Sequence, residues 1–326
     1  MNRRGALCAL LALAAAQRAS YALQQGKAWR IGYLSPGSGP GMQDDWRNAL
    51  KRAGYEEGKN IAIERRFAEG NAARLIALAD ELVRLDVELI VAYLNDASDA
   101  ARRATKTKPI VMFANMFPAE RGMITSLAHP GGNVTGTVWW ANPNVTRLKM
   151  LQIVKDAVPK ARRVCWLTNM NESQYRFYDV PELYRSAAAI GLTVQMVGLS
   201  NIAELKPALD RVAAIRPDAL FVGGALSTFG AFPQIAAFAI QRKLVSLSDG
   251  SSFVSAGGLL SYGPDIRALV DRTVSYIDRI LQGAKPGDLP VEQSAKWNFV
   301  LNAKTARAIG FKPSTTFMAG VDKQVE

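Results

Sequence analysis

The chain has 326 residues, 49% of them hydrophobic, and a formal net charge of +12. Lysines and arginines are interleaved with acids, as at Arg74, Asp80, Glu81 and Arg84, and no long run of like charge marks a nucleic-acid tail. One histidine and two cysteines leave little vocabulary for metal binding, disulfides or nucleophilic catalysis.

Met1 to Ala22 reads as a secretion signal. Arg3 and Arg4 form the basic start, Gly5 to Ala16 is an apolar run of twelve residues, and Ser20-Tyr21-Ala22 offers small residues at a cleavage site. The run is short of the roughly 20 apolar residues a membrane span needs. The arginine pair leaves twin-arginine export open beside the general route. Removing 22 of 326 residues leaves 304, which suits two lobes of roughly 150 residues each. Net charge falls from +12 to +9, because Arg3, Arg4 and Arg18 go and no acid does. Cys165 then has no partner for a disulfide.

Beyond the signal, apolar runs alternate with amphipathic stretches. Ile31–Leu34 reads as a strand, and Trp46–Ala53 as a helix stopped by Gly54. Ile61–Phe67 alternates as a strand, and Ala72–Leu85 is helical. Leu89–Ala92 is a short buried strand, with Asn95 or Asp96 placed to cap a helix Ala97–Thr105. Ile110–Phe113 and Val134–Val138 close a first set. A second set has strands Val164–Leu167, Thr193–Val197, Ala219–Val222 and Val245–Leu247, and helices near Gln174–Ile190, Ala203–Ile215 and Phe232–Arg242.

Continuous Val/Ile/Leu strands alternating with helices predict parallel sheets covered on both faces. The expected fold class is therefore α/β, with two Rossmann-like doubly wound lobes. In such sheets ligands bind beyond the carboxyl ends of the strands. The candidate loops are Ser35–Met42, Tyr93–Ser98 and Ala114–Pro118 in the first lobe, and Thr168–Ser173, Gly223–Thr228 and Ser248–Ser252 in the second. Several lead into a helix N-terminus, which favours an anion such as a carboxylate.

The remaining motifs have plain readings. Ser35–Gly41 is glycine-rich but lacks the Lys-Ser/Thr of a phosphate loop and the spacing of a dinucleotide fingerprint. It is a pocket-lining loop or a flexible turn. His129 precedes the turn cluster Pro130-Gly131-Gly132-Asn133 with no nucleophile beside it. Cys165 lies in an apolar run and reads as a buried, inert thiol. Asp44-Asp45 and Glu56-Glu57 read as solvated charge. Trp139-Trp140 ends the first set, where one ring either stacks on a ligand or packs a hinge. Nothing here points to an enzyme, a cofactor or a metal.

Two segments carry a resemblance. Gly257-Gly258-Leu259-Leu260-Ser261-Tyr262-Gly263-Pro264-Asp265 and Ile280 to Gln293 resemble the ABC-transporter substrate-binding protein family that includes tryptophan- and tyrosine-binding members. So do Ile31–Gly37, Gly54–Ile61, Arg84–Val91, Pro130–Gly136 and Asn302–Gly310, so the resemblance runs from about residue 29 to the C-terminus. It implies a type I periplasmic-binding-protein fold with crossovers near Val138–Ala141, Ser261–Asp265 and Leu289–Glu292. Helix Ile266–Leu281 would return to lobe one and Trp297–Gly310 to lobe two. Lobe one would be residues 28–139 plus 264–290, and lobe two 140–263 plus 291–326. It further implies a monomeric periplasmic protein that closes on a small solute and passes it to an ABC permease in the inner membrane. A ligand-sensing periplasmic subunit for a membrane receptor uses the same fold, and the residues do not separate the two.

The chain departs from the family in its pocket loops. Phe117-Pro118 stands where Asp-Pro is usual, Ala225 where Asp is frequent, and Ser248 where an aromatic residue is common. Asn169 keeps a frequent asparagine. Losing two acids favours a carboxylate ligand with no ammonium to satisfy, and Phe117 and Trp140 favour an apolar or aromatic body. The expected ligand-binding residues are Ser35, Asn95, Ser98, Asn115 and Phe117 from the first lobe. Trp140 and Tyr262 stand at crossovers, and Asn169, Ala225, Ser248 and Asp249 belong to the second lobe.

Overall fold

The computed structural model describes residues 28–37, 43–140, 143–170, 177–224, 228 and 230–326. The signal Met1–Ala22, the position Ala225, and parts of the loops after Ser35, Asn169 and Gly224 lie outside the described residues.

Contacts divide the chain into two units. Unit 1 comprises residues up to Phe113, with Met123–Gly136 and Val270–Val291; unit 2 comprises Ala114–Gly122, Thr137–Leu269 and Glu292–Glu326. Two sheets underlie them.

The first sheet has the order β11-β5-β4-β3-β1-β2, built from β1 (Trp29–Ser35), β2 (Ile61–Phe67), β3 (Leu89–Tyr93), β4 (Ile110–Asn115), β5 (Val134–Val138) and β11 (Glu292–Gln293). β1 runs parallel to β2 and to β3, and β3 parallel to β4, with Ile31 opposite Leu89 and Ile90 opposite Ile110. β4 is buried along its whole length, as expected of a strand covered on both faces.

The second sheet has the order β13-β12-β10-β9-β8-β6-β7. Its strands are β6 (Arg163–Thr168), β7 (Thr193–Gly198), β8 (Ala219–Val222), β9 (Val245–Ser248), β10 (Leu260–Pro264), β12 (Trp297–Asn302) and β13 (Lys323–Val325). β10 runs antiparallel to β12, and β9–β10, β12–β13, β6–β7, β6–β8 and β8–β9 are parallel. Side chains alternate across the sheet. Val164, Trp166, Ala219, Phe221 and Leu247 join one core layer, and Cys165, Leu167, Leu220 and Val222 the other. Cys165 is fully buried, and that burial pushes its thiol up to about 12, which makes it inert.

The strands match the apolar runs to within a residue or two. The helices bring three corrections. The helix over residues 97–105 starts earlier, as Leu94–Ala104, with Tyr93 at its N-cap. Leu94 takes φ of +63°, so the chain turns directly from β3 into the helix and Asn95 sits in the first turn rather than capping it. Of the helix expected over Gln174–Ile190, residues 174–176 lie outside the described residues, and the described helix runs Val180–Ala189. Asp179 caps it by accepting the Glu182 N–H at 2.8 Å, and Pro181 lies in the first turn. The helix expected from Ala203 is a 3-10 turn, Ile202–Glu204, followed by an α-helix Leu205–Ile215.

A fourth helix, Pro143–Ala157, has no counterpart in the sequence reading. Its buried stripe is Arg147, Met150, Leu151 and Val154, while Val145 and Leu148 face outward at 65% and 41% exposure. A cation inside and aliphatic residues outside blur the amphipathic signal on which helix recognition depends.

The acid pairs are surface features, as expected. Asp44 pairs with Arg47 at 2.8 Å, Glu56 with Lys59 at 2.9 Å, and Glu57 with Arg65 at 2.6 Å.

Candidate functional site

Unit 1 gathers aromatic rings where its parallel strands end. Tyr33 of β1 meets Trp46 at 5.9 Å and Phe67 of β2 at 6.2 Å between ring centroids. Phe113 of β4 meets Trp46 at 5.1 Å and Tyr93 of β3 at 5.2 Å. Trp46 and Phe113 pack edge-to-face, a favoured arrangement for aromatic pairs. The polar residues expected in this unit are buried at the same strand ends. Ser35 accepts the Gly37 N–H on its hydroxyl at 3.2 Å. Ser98 donates to the carbonyls of Leu94 at 3.1 Å and Ala92 at 3.3 Å, so its hydroxyl serves the helix start. Asn95 is 4% exposed.

Unit 2 has a different chemistry at its strand ends. Arg147, on the inner stripe of helix Pro143–Ala157, is 2% exposed. Three rings surround its guanidinium: Tyr178 at 3.4 Å, Trp166 of β6 at 4.6 Å and Trp140 at 5.4 Å from Cζ to ring centroid. All lie within the roughly 6 Å range of cation–π attraction. Trp166 stacks in turn on Phe221 of β8 at 4.9 Å. Gly223 makes room for this arrangement, because a Cβ there would stand 2.6 Å from the Thr168 hydroxyl and 2.8 Å from the Trp166 indole nitrogen.

Asp249 follows β9 and is 5% exposed. Its Oδ1 accepts the Gly224 N–H at 2.8 Å. Burial pushes its carboxyl up to about 6, against the opposing pull of that N–H and of the Arg147 charge. Gly263 of β10 lies tightly against it: a Cβ there would stand 2.0 Å from the Asp249 carbonyl oxygen.

The segment Ala114–Gly122, grouped with unit 2, supplies further contacts. Phe117, at φ of +55°, meets Tyr178 at 5.1 Å and Phe177 at 5.7 Å. The Tyr178 hydroxyl donates to the Met116 sulfur at 3.4 Å. Ala114 also has positive φ, at +58°. Such strain in residues other than glycine gathers at ligand-handling positions. Asn115 is fully buried, and its carbonyl accepts the Trp139 N–H at 2.7 Å.

Of the expected residues, Phe117, Trp140 and Asp249 thus converge on Arg147, the first through Tyr178. Ser248 is buried at the end of β9, and Asn169 lies half-buried after β6. Tyr262 of β10 places its ring against Trp297 at 5.3 Å and Phe299 at 6.3 Å. Arg147, Trp166 and Tyr178 were not foreseen. Among the described residues, no group of three or more His, Cys, Asp or Glu side chains is placed to hold a metal ion. No helix among them is long and apolar enough to cross a membrane.

Comparisons with known proteins agree with this architecture. The family model for ABC transporter substrate binding protein matches residues 37–321. A protein named tyrosine-binding protein from Clostridioides difficile (strain R20291) is 28% identical over 261 residues, covering 80% of this chain and 74% of its own. An ABC domain from Streptococcus pneumonia, solved in complex with L-Trp, superposes with a TM-score of 0.81 at 24% identity, covering 92% of this chain and all of its own (100%). A leucine binding protein from Thermotoga maritima gives 0.60 at 14% identity, covering 80% of this chain and 85% of its own. The fold is that of the type I periplasmic binding proteins.

Proposed function

The chain belongs to the ABC transporter substrate binding protein family, and from that premise we propose that it captures a small organic carboxylate with a flat, apolar body for import. The observation that carries this reading is the chemistry at the strand ends: aromatic rings in unit 1, and a buried cation among rings in unit 2. Open parallel sheets bind ligands at these ends. The similarity to a tyrosine-binding protein, and in fold to a domain that holds L-Trp, supports a solute of aromatic amino-acid or aromatic-acid type.

Ser35, Asn95, Ser98 and Asn115 would border the solute, as would Phe117, Trp140, Asn169, Ser248 and Asp249. In this reading the chain is exported by its Met1–Ala22 segment, works as a periplasmic monomer, closes on the solute and delivers it to an inner-membrane permease. It binds without transforming.

A thermal-denaturation screen of amino acids, aromatic acids and short peptides tests the proposal. A solute that binds only the folded state stabilises it by about 2.7 kcal/mol at a hundredfold excess over its dissociation constant. The expected result is a shift of several degrees for an aromatic carboxylate. No shift anywhere in the screen would refute the reading.

A further inference from the structure

We infer that Arg147 and Trp140 are the anion anchor of the solute site, holding a carboxylate of the solute through N–H donors that no group among the described residues engages. The inference rests on the reading of the chain as a solute-binding protein and names residues for it.

Burying a guanidinium is unfavourable unless a counter-charge and hydrogen bonds compensate it. Arg147 is 2% exposed. Among the described residues no carboxylate lies within ion-pair distance of it, and its Nε has no hydrogen-bond partner. The Trp140 ring is 4% exposed, and its Nε1 likewise has no partner there. Two buried donors on neighbouring side chains, one of them cationic, therefore stand unsatisfied in one place.

The rings account for only part of this arrangement. Tyr178, Trp166 and Trp140 lie around the planar guanidinium, and cation–π attraction engages the π clouds of those rings. It leaves the Arg147 Nε–H without a hydrogen-bond partner, and the Nε/Nη edge to which that group belongs matches the two oxygens of a carboxylate. Asp249 acts on Arg147 through its charge, yet directs its own Oδ1 to the Gly224 N–H.

A purely structural arginine would be expected to carry its own counter-ion. The partly buried Arg65 and Arg66 do: Arg65 meets Glu57 at 2.6 and 2.8 Å, and Arg66 meets Glu81 at 2.8 Å. Arg147 is set on the core stripe with Met150, Leu151 and Val154, where solvent cannot serve it. An anion arriving there must bring its own apolar cover, which selects a carboxylate attached to an aromatic or aliphatic body over a small inorganic ion.

The test is calorimetric titration of the full chain with two acid–amide pairs: 3-phenylpropanoate against 3-phenylpropanamide, and L-tyrosine against L-tyrosinamide. Wild type should bind at least one acid no less than tenfold tighter than its amide. Arg147→Met should lose about a hundredfold in affinity for that acid, and Trp140→Phe, which keeps a ring but loses the N–H, about tenfold. At pH 5, where Asp249 is largely protonated and needs no counter-charge, the melting temperature of ligand-free Arg147→Met should be unchanged or higher, because a buried charge without an ion-pair partner is gone. A merely structural arginine would give a lower melting temperature with little change in affinity, which would overturn the inference. So would equal binding of acid and amide by wild type. Should Arg147→Met fail to fold, the acid–amide ratio in wild type and the Trp140→Phe affinity decide the matter in the same way. A solute that the wider screen finds without any anionic group refutes the anchor alone. A screen with no binder refutes the solute-binding reading beneath it.

Discussion

The two units end their parallel strands in opposite ways. In unit 1 the strand ends are closed by neutral rings that satisfy one another, Trp46 on Phe113 and Phe113 on Tyr93, and by hydroxyls spent on local backbone. In unit 2 the strand ends hold Arg147 and Asp249, each buried and not in ion-pair contact with the other. The first arrangement stabilises the fold by itself. The second leaves polarity buried and incompletely matched, which is tolerable where a ligand completes it. Self-satisfied aromatic packing and the charged anchor of the solute are thus expected to reside in different units.

The largest expected effect tests the stabilising side. Phe113 is fully buried between Trp46 and Tyr93. Phe113→Ala should cost about 3–5 kcal/mol of unfolding free energy by chemical denaturation. A cost below about 1 kcal/mol would break the contrast between the units, since it lies well under the usual price of deleting a buried ring.

Next comes Asp249. Its folded carboxyl titrates near about 6, while the unfolded chain's titrates near about 4. Between those pH values the unfolded state has released the proton that the native state still holds. Wild-type stability therefore falls as pH rises through this window, and the penalty is complete above it. Asp249→Asn has no proton to lose and can still accept from Gly224. Its stability relative to wild type should rise by about 2–3 kcal/mol between pH 4 and pH 8. A difference that is flat with pH contradicts the burial argument.

Single side chains of the site should have smaller effects, read on binding. Trp140→Ala and Asn169→Ala are each expected to weaken solute binding by about 1–3 kcal/mol, read by calorimetry with folding checked by circular dichroism. Asn95→Ala sharpens the comparison, because Asn95 lies in unit 1. An effect as large as that of Trp140→Ala would extend the polar anchor into that unit. The smallest effect belongs to the surface: Arg65→Ala, which removes the pair with Glu57, should change stability by no more than about 1 kcal/mol.

Much of the fold was legible because strands are written either as apolar runs, like Ala219–Val222, or as alternation, like Ile61–Phe67. Ile61–Phe67, Val134–Val138 and Ala219–Val222 coincide with their observed limits. Helix ends were less legible where backbone geometry overrode residue preference. Asn95 and Asp96 look like caps, but the left-handed turn at Leu94 starts the helix before them. The key side chain of unit 2 was not legible at all. Arg147 occupies a core position that pattern reading assigns to aliphatic residues, while Val145 and Leu148 take the outside. An arginine at the i position of a Met150–Leu151–Val154 stripe is the signal that could have found it. Asp249 stood among the expected residues, but its coupling to Arg147 joins elements 102 residues apart, which no local pattern encodes.

The most direct test of the account is a crystal structure of the full chain grown with the carboxylate that raises its melting temperature most. The account predicts a carboxylate whose oxygens lie about 2.7–3.2 Å from N–H groups of Arg147 and from Trp140 Nε1, with its apolar body against aromatic rings. A bound solute whose carboxylate sits elsewhere, with Arg147 still lacking an anionic partner, would contradict it.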